Sequence, residues 1–219
     1  SPVLCANVPG AIKFGTVGQA MKDVEIKIAD DGEIIARGPN IMKGYFNNEE
    51  ATKEVLDSDG WFHTGDIGEL DSNGFLTITD RKKNLLITSQ GKNIAPAPME
   101  NALITSPYIE QVVALGDKQN FVSAIIVPSF ENLEIYLDQK GIKLSGNQAM
   151  IDHEEVNTLI NGIVNEEMES FSKYERIKKI ALIPNLLTIE NGELTPTLKV
   201  VRRVVLKNYS DHIDRIYAN

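Results

Sequence analysis

The chain has 219 residues, 42% of them hydrophobic and 24% charged, which is typical of a globular protein with one or two domains. Its formal net charge of -9 and the lack of a basic stripe argue against binding driven by nucleic-acid phosphates. Cys5 is the only cysteine, which excludes a disulfide framework and a cysteine zinc site and indicates a reduced compartment, the cytoplasm. The sequence contains no apolar run of the roughly 18 residues that a membrane helix needs.

The first part of the chain carries mainly β-strand patterns. Two pairs of alternating segments flank turns that contain Asp and Gly, and each pair predicts a hairpin: residues 24–28 with 33–37, and residues 66–70 with 75–79. Residues 47–56 predict a short helix, because an asparagine precedes an acidic first turn. The charge run at residues 80–84, Asp-Arg-Lys-Lys-Asn, ends this part and is the candidate domain boundary.

After the boundary, helical and strand patterns alternate. Helices are predicted at residues 98–105, 131–139, 156–171 and 200–217, and strands at residues 111–115, 122–128 and 178–184. The strongest amphipathic signal lies in residues 156–171, where apolar side chains recur at helical spacing. Strands that alternate with helices in this way predict a compact α+β unit.

Asp66 is the first candidate for a binding residue, because it lies in the glycine-containing stretch Gly-Trp-Phe-His-Thr-Gly-Asp-Ile-Gly. Glycines permit tight turns and the close approach of a ligand to the backbone. An aspartate between them can accept two hydrogen bonds from the vicinal hydroxyls of a ribose, or it can simply organise a turn, which the spacing alone favours. His63, in the same stretch, is more typical of a structural histidine than of a catalytic base.

Basic residues at two places in the chain have two interpretations each. Arg81, Lys82 and Lys83 form either a solvated charge run or a polar hinge whose arginine reaches a nucleotide. Lys199 follows a loop rich in Gly, Pro and Thr and precedes an apolar stretch, so its charge is either solvated or held on a mobile arm toward an anion. No pair of histidines has the spacing of a zinc site, and no metal site is predicted within the chain.

Four stretches resemble, in the same order, four motifs of the acyl-adenylate-forming enzymes, a family that includes acyl-CoA synthetases, firefly luciferases and peptide-synthetase adenylation domains. They are GEIIARGPNIMKGYFNNEEAT at 32–52, GWFHTGDIG at 60–68, DRKKNLLITSQGKNIAP at 80–96 and LTPTLKVVRR at 194–203. Four motifs in order are far more specific than any one of them, and the resemblance covers essentially the whole chain. The last stretch is most similar to the long-chain fatty acyl-CoA synthetase branch.

The resemblance implies roles for five residues. Asp66 and Arg81 would bind the ribose of ATP and of the acyl-adenylate, and Lys83 would be the hinge. Gly91 would open a loop beside the pantetheine arm of CoA. Lys199 would be the lysine needed for adenylation, which a closing lid brings to the negative charge that gathers on the reacting oxygens.

The resemblance also implies a two-domain α+β fold and a ligase reaction. Residues 1–82 would be the β-rich C-terminal subdomain of the large AMP-binding domain, and residues 83–219 a small α+β lid domain. The substrates would be a long-chain fatty acid, ATP and CoA, and AMP and pyrophosphate would be released.

Several motifs of the family are not among these 219 residues, namely the phosphate loop, the glutamate that helps to bind magnesium and most of the acyl pocket. The chain also starts without a methionine or a signal peptide. We therefore expect the C-terminal fragment of a ligase, with its magnesium ligands in the preceding part, and we expect this fragment to be inactive alone.

Two other interpretations stay open at this point. Another adenylating enzyme, specific for aryl, short-chain or amino acids, would share the same motifs, and only the acyl pocket would distinguish it. A stand-alone binding module is the second alternative. We expect no nucleic-acid partner and no transmembrane segment, whereas the sequence is compatible with peripheral membrane contact and leaves the oligomeric state open.

Overall fold

The computed structural model describes residues 3–218, and it divides the chain into two compact units that meet along the sequence between Leu85 and Leu86. Both units contain β-sheet and helix, so the predicted α+β fold class is confirmed. The predicted domain boundary between residues 82 and 83 falls inside a short 3₁₀ helix, Lys82–Asn84, and stays a prediction.

The first unit is built on a six-stranded antiparallel sheet. Its strands are β1 (Cys5–Ala6), β2 (Gly18–Ala20), β3 (Glu25–Ile28), β4 (Glu33–Arg37), β5 (Phe62–Leu70) and β6 (Phe75–Arg81). They lie in the order β1-β2-β6-β5-β4-β3, so the hairpin of β5 and β6 occupies the middle of the sheet. Helix α1 (Glu49–Val55) begins after an asparagine, as predicted, because the Asn48 side chain accepts a hydrogen bond from the Ala51 N–H at 3.0 Å.

The second unit contains two small sheets, six α-helices and one short 3₁₀ helix, Met168–Ser170, among the residues that the structure describes. The elements are β7 (Leu86–Ile87), β8 (Asn93–Ile94), α2 (Pro96–Leu103), β9 (Ile109–Leu115), β10 (Val122–Pro128), α3 (Phe130–Gln139), α4 (Asn147–Ile151), α5 (Glu154–Glu167), β11 (Ile177–Leu182), α6 (Arg202–Asn208) and α7 (Ser210–Tyr217). Strands β7 and β8 form an antiparallel pair. In the three-stranded sheet, β10 lies between β9, to which it is antiparallel, and β11, to which it is parallel.

Strand β10 is the centre of this second unit, and all seven of its residues are buried. Ala124 and Ile126 belong to a hydrophobic cluster with side chains of α2, α3 and α5. Ile125 and Val127 belong to a second cluster, which includes side chains of α6 and α7. Because helices cover both faces of the strand, its sequence is a continuous apolar run rather than an alternating one. None of the helices in residues 3–218 combines the length and the apolar character that crossing a membrane requires.

The C-terminal segment differs from the prediction of one helix over residues 200–217. It forms two helices, α6 and α7, because the chain leaves the helical conformation at Tyr209, where φ is -113° and ψ is 25°. The preceding residue, Asn208, donates its side-chain amide to the Glu193 carboxylate at 3.0 Å. Asparagine, tyrosine and serine are weak helix formers, so this tertiary contact can interrupt the helix between Asn208 and Ser210.

Candidate active site

Asp66 and Arg81, which the motifs predict to bind a ribose, lie next to each other in the first unit. They face each other on the neighbouring strands β5 and β6, and the Arg81 Nε atom lies 2.8 Å from the Asp66 Oδ1 atom. The Asp66 side chain is 24% exposed and the Arg81 side chain 61%, so the carboxylate is set into the surface and the guanidinium projects from it. An acceptor and a donor that lie side by side can together bind two adjacent hydroxyl groups.

A bulge in β5 brings Asp66 to this position. Between two paired positions of β4 and β5, strand β5 has the three residues 64–66 where β4 has only Ile34. Gly65, in the middle, has a φ of 71°, which residues with a side chain rarely adopt. The Thr64 hydroxyl donates to the Ile34 carbonyl at 2.7 Å and accepts a hydrogen bond from the Asp66 N–H at 3.1 Å. Residues 64–66 are called the Asp66 bulge below.

A cleft of about 210 Å³ opens beside the Asp66 bulge. Thr64 and Asp66 supply polar atoms to it, whereas most of its lining is apolar, including Leu4 and Val17. Cys5 also lines the cleft, and burial raises the pKa of its thiol, which is therefore uncharged at neutral pH. The cleft suits a ligand that has an apolar part next to hydroxyl groups.

Lys199 lies on a hydrogen-bonded turn of the second unit. The Thr195 N–H donates to the Lys199 carbonyl at 2.8 Å, and the Lys199 N–H donates to the Thr195 hydroxyl at 3.0 Å. Just outside these residues, Leu194 and Val200 form an antiparallel bridge. The backbone of residues 195–199, called the Lys199 turn below, is thus closed, while the Lys199 amine is exposed and has no hydrogen-bond or ion-pair partner within residues 3–218.

The base of the Lys199 turn is fixed by Glu193, a buried residue that the sequence analysis missed. Glu193 is 1% exposed, and its carboxylate accepts hydrogen bonds from the Thr188 N–H and from the Asn208 amide, both at 3.0 Å. Burial, the charge of Glu193 and a hydrogen bond to that carboxylate raise the pKa of Tyr209 to about 12. In the part of the chain that the structure describes, Glu193 has no ion-pair partner. Its negative charge is therefore stabilised by neutral donors.

Gly91 lies in the turn between β7 and β8. Its φ is 76°, and its N–H donates to the Thr88 carbonyl at 2.9 Å. The Thr88 N–H in turn donates to the Lys92 carbonyl at 3.0 Å, which closes the turn. A Cβ atom on Gly91 would meet no described atom within 4 Å, so the backbone angle rather than crowding favours glycine at this position.

Lys83 lies in the 3₁₀ helix that follows β6, with its side chain exposed. The neighbouring Lys82 is held within the first unit, because its Nζ atom lies 2.7 Å from an Asp31 carboxylate oxygen and 2.8 Å from a Glu33 carboxylate oxygen. Among the described residues, the Lys83 side chain makes no hydrogen bond or ion pair. The chain passes into the second unit after Leu85.

The structure thus brings only some of the predicted site residues together. Asp66 and Arg81 are in contact, Lys83 follows Arg81 by two positions, and Gly91 and Lys199 each lie in a separate turn of the second unit. Within residues 3–218, no group of three or more His, Cys, Asp and Glu side chains is arranged to hold a metal ion.

Comparison with known proteins agrees with the motif resemblance. A family model described as the AMP-binding enzyme C-terminal domain matches residues 83–219, which is more than half of the chain. The chain belongs to this family. The long-chain-fatty-acid–CoA ligase FadD15 of Mycobacterium tuberculosis H37Rv is 40% identical to this member of the family over 208 residues, which are 94% of the chain and 34% of that ligase. The chain spans about a third of the length of the curated relatives that it matches.

Solved structures of AMP-binding enzymes are similar to the chain as well. The A domain of carboxylic acid reductase from Segniliparus rugosus, solved with AMP and a co-purified carboxylic acid, has a TM-score of 0.68 and 25% identity, and the match covers 92% of this chain and 32% of that one. The O-succinylbenzoate–CoA synthetase MenE of Bacillus subtilis, solved with ATP and a magnesium ion, has a TM-score of 0.57 and 29% identity over 87% of this chain and 35% of that one.

Proposed function

We propose that this chain acts as the C-terminal part of an ATP-dependent fatty acid–CoA ligase. In the first step, a carboxylate oxygen of the fatty acid attacks the α-phosphorus of ATP, and pyrophosphate leaves. In the second step, the sulfur of CoA attacks the acyl carbon of the adenylate, and AMP leaves. The acid is a long-chain fatty acid, which the names of the relatives support, since they are long-chain-fatty-acid–CoA ligases.

The observation that carries this proposal is the contact between Asp66 and Arg81. The two hydroxyls of a ribose each donate and accept, so they match a carboxylate acceptor beside a guanidinium donor. The Asp66 carboxylate binds the hydroxyl protons, and Arg81 donates to the hydroxyl oxygens. The apolar cleft beside the Asp66 bulge takes an adjoining apolar part of the nucleotide or adenylate.

Lys199 supplies positive charge to the adenylation step. Negative charge increases on the carboxylate and phosphoryl oxygens as they react, and a lysine that reaches both stabilises the transition state. The Lys199 turn is suited to this role, because its backbone is fixed by its own hydrogen bonds while its amine is free to bind an anion.

The remaining two residues act in the change from the first step to the second. Lys83 is the pivot about which residues 83–219 move as a lid between the two steps. Its unattached side chain, next to the firmly paired Lys82, supports a pivot that begins directly after Lys82. The turn at Gly91 has no Cβ atom at its tip, so the pantetheine arm of CoA can pass close to its backbone.

The test is an assay of the ligase that contains this chain, with palmitate, a short-chain acid, an aryl acid and an amino acid as substrates. We expect palmitoyl-CoA, AMP and pyrophosphate in equal amounts, and little product from the other acids. Preference for one of the other acids would assign a different adenylating enzyme. Failure to release pyrophosphate with any acid would contradict the proposal, and the 219-residue chain alone, which we expect to be inactive, is the matched control.

A further inference from the structure

Glu33 is a buried carboxylate at the start of β4, and three donors converge on it. It is 3% exposed. Its Oε1 atom accepts a hydrogen bond from the Gly65 N–H at 2.8 Å. Its Oε2 atom lies 2.9 Å from His63 Nδ1 and 2.8 Å from Lys82 Nζ. Residues from β5 and from the segment after β6 are therefore joined through one side chain.

The Glu33 carboxylate is held in its ionised form. Burial by itself raises the pKa of a carboxyl group, but Lys82, His63 and the Gly65 N–H lower it more, so the pKa of Glu33 lies below its ordinary value. The hydrogen bonds that Lys82 donates to the Asp31 and Glu33 carboxylates raise the pKa of Lys82 in turn. At neutral pH the site contains a charged carboxylate and a charged lysine that stabilise each other.

The Asp66 bulge needs such a partner, because its amides are displaced from the ladder of hydrogen bonds between β4 and β5. A buried N–H without an acceptor would destabilise the fold. The Gly65 N–H is satisfied by Glu33, and the Asp66 N–H by the Thr64 hydroxyl. Glu33 thus takes the place of a strand partner for the N–H of Gly65, the residue directly before Asp66.

We propose that Glu33 is a positioning residue, whose buried carboxylate holds the Asp66 bulge in shape and thereby aims the Asp66 carboxylate at the ribose. It touches neither substrate nor the reacting atoms. The consequence of this inference for catalysis rests on the proposed function. Its structural part, the Gly65–Glu33 hydrogen bond, does not.

The structural part is tested on the 219-residue chain by amide hydrogen exchange, followed by NMR at Gly65 and Asp66. Glu33→Gln should speed exchange at both amides by about tenfold, as expected when a hydrogen bond to a charged acceptor is weakened. Asp31→Asn is the matched control, because it removes the other ion pair of Lys82 while the asparagine oxygen can still accept the hydrogen bond from the Glu33 N–H, and Asp31 makes no hydrogen bond or ion pair with residues 64–66 in the described structure. Unchanged exchange in Glu33→Gln would overturn the inference.

The functional part is tested on the ligase that contains this chain, by measuring pyrophosphate release against ATP concentration. Glu33→Gln should raise KM for ATP by about tenfold and change kcat by less than about twofold, since nucleotide binding is weakened without loss of a group that acts on the reacting atoms. Asp31→Asn should leave both constants unchanged. A fall in kcat at constant KM would overturn the positioning role.

The proposed function and the role of Glu33 can fail separately. If the unmodified ligase releases no pyrophosphate, the proposed function fails, while the exchange experiment still decides the role of Glu33 in the bulge. If Glu33→Gln does not fold, Glu33→Asp keeps the charge for Lys82 but draws the carboxylate away from Gly65 by one methylene group. It should give the same rise in KM, and a KM equal to that of the unmodified ligase would overturn the inference.

Discussion

The Asp66 bulge and the Lys199 turn are each supported by one buried glutamate, but the two carboxylates are stabilised in different ways. Glu33, at the Asp66 bulge, faces the cationic Lys82. Glu193, at the base of the Lys199 turn, is bound by the neutral Thr188 N–H and Asn208 amide. Exposure is very low for both, at 3% and 1%, so neither charge is left to water.

The difference predicts how each site responds when its acid is replaced by an amide. Replacing Glu33 by an amide removes its ion pair with Lys82 and weakens the hydrogen bonds that it accepts, although Lys82, whose side chain is 46% exposed, keeps its ion pair with Asp31. A carboxylate that is bound only by neutral donors can be replaced by an amide with a smaller loss, because burial of the charge was itself unfavourable. The first unit should therefore depend on the charge of its glutamate, and the second unit on its hydrogen bonds.

The largest expected effect concerns the amine of Lys199. In the proposed ligase, Lys199→Ala should lower the rate of adenylation by about 100-fold or more, the loss typical of a group that stabilises developing charge. Transfer of the acyl group from synthetic acyl-adenylate to CoA should keep nearly its normal rate, and Lys207→Ala, another exposed lysine of the second unit, is the control. Equal losses in both half-reactions would remove Lys199 from the adenylation step.

The second effect tests the neutral hydrogen bonds of Glu193. Glu193→Ala leaves the Thr188 N–H and the Asn208 amide without an acceptor, so we expect a loss of about 3 kcal/mol in local stability, whereas Glu193→Gln should lose about 1 kcal/mol. Hydrogen exchange of peptides from residues 188–209, measured by mass spectrometry, reports this stability. The contrast with Glu33 would disappear if the glutamine variant lost as much as the alanine variant.

These supporting glutamates show where prediction from sequence ends. Strands β4 and β10 have the predicted bounds, because alternation or a continuous apolar run defines them within the segment itself. By contrast, the hydrogen-bond partners of Glu33 lie 30, 32 and 49 residues away, and Gly65, although a glycine within a strand often marks a bulge, does not indicate which side chain binds its N–H. In the sequence, Glu33 is a single acidic residue at the start of a strand, and Glu193 follows a loop glycine. Acidic residues in such places usually lie on the surface, so neither residue is recognisable as buried.

The candidate site was predictable to a similar extent. The motifs singled out Asp66, Arg81 and Lys199, and the hairpin of β5 and β6 places the first two opposite each other. The break at Tyr209 was not predictable, because Glu193, which binds the preceding residue, is 15 positions earlier in the chain. Local patterns therefore identify the elements and the motif residues, whereas the side chains that hold them depend on contacts between distant segments.

A third prediction concerns Lys83, which lies between the Asp66 bulge and the Lys199 turn along the chain. Lys83→Pro fixes φ near -65° and removes an N–H donor, so the lid should change orientation less readily. In the proposed ligase, we expect acyl transfer to CoA to slow by about tenfold and pyrophosphate release to change less, since the proposed lid movement lies between the two steps. Lys82→Met is the contrasting variant, because it breaks the ion pairs with Asp31 and Glu33 and should weaken ATP binding instead. Wild-type rates for both half-reactions of Lys83→Pro would move the pivot elsewhere.

The smallest expected effect is a dependence of stability on alkaline pH that comes from Tyr209. Its pKa is about 12 in the folded chain, above the ordinary value of 10.0, first because of burial and then because of the Glu193 charge and hydrogen bond. The unfolded chain therefore loses this proton at a lower pH than the folded chain does. The stabilisation is complete below pH 10 and is lost as the pH rises from 10 toward 12.

Tyr209→Phe should accordingly lose less stability than the unmodified chain between pH 10 and 12, as followed by urea unfolding at several pH values. Tyr45→Phe is the control, because Tyr45 is an exposed tyrosine of the first unit. The decisive variant is Glu193→Gln, in which absorbance of tyrosinate should show the pKa of Tyr209 falling below 12 while burial keeps it above 10. An unchanged pKa of Tyr209 would mean that the Glu193 charge does not act on its neighbours. The electrostatic contrast between the Asp66 bulge and the Lys199 turn would then not hold.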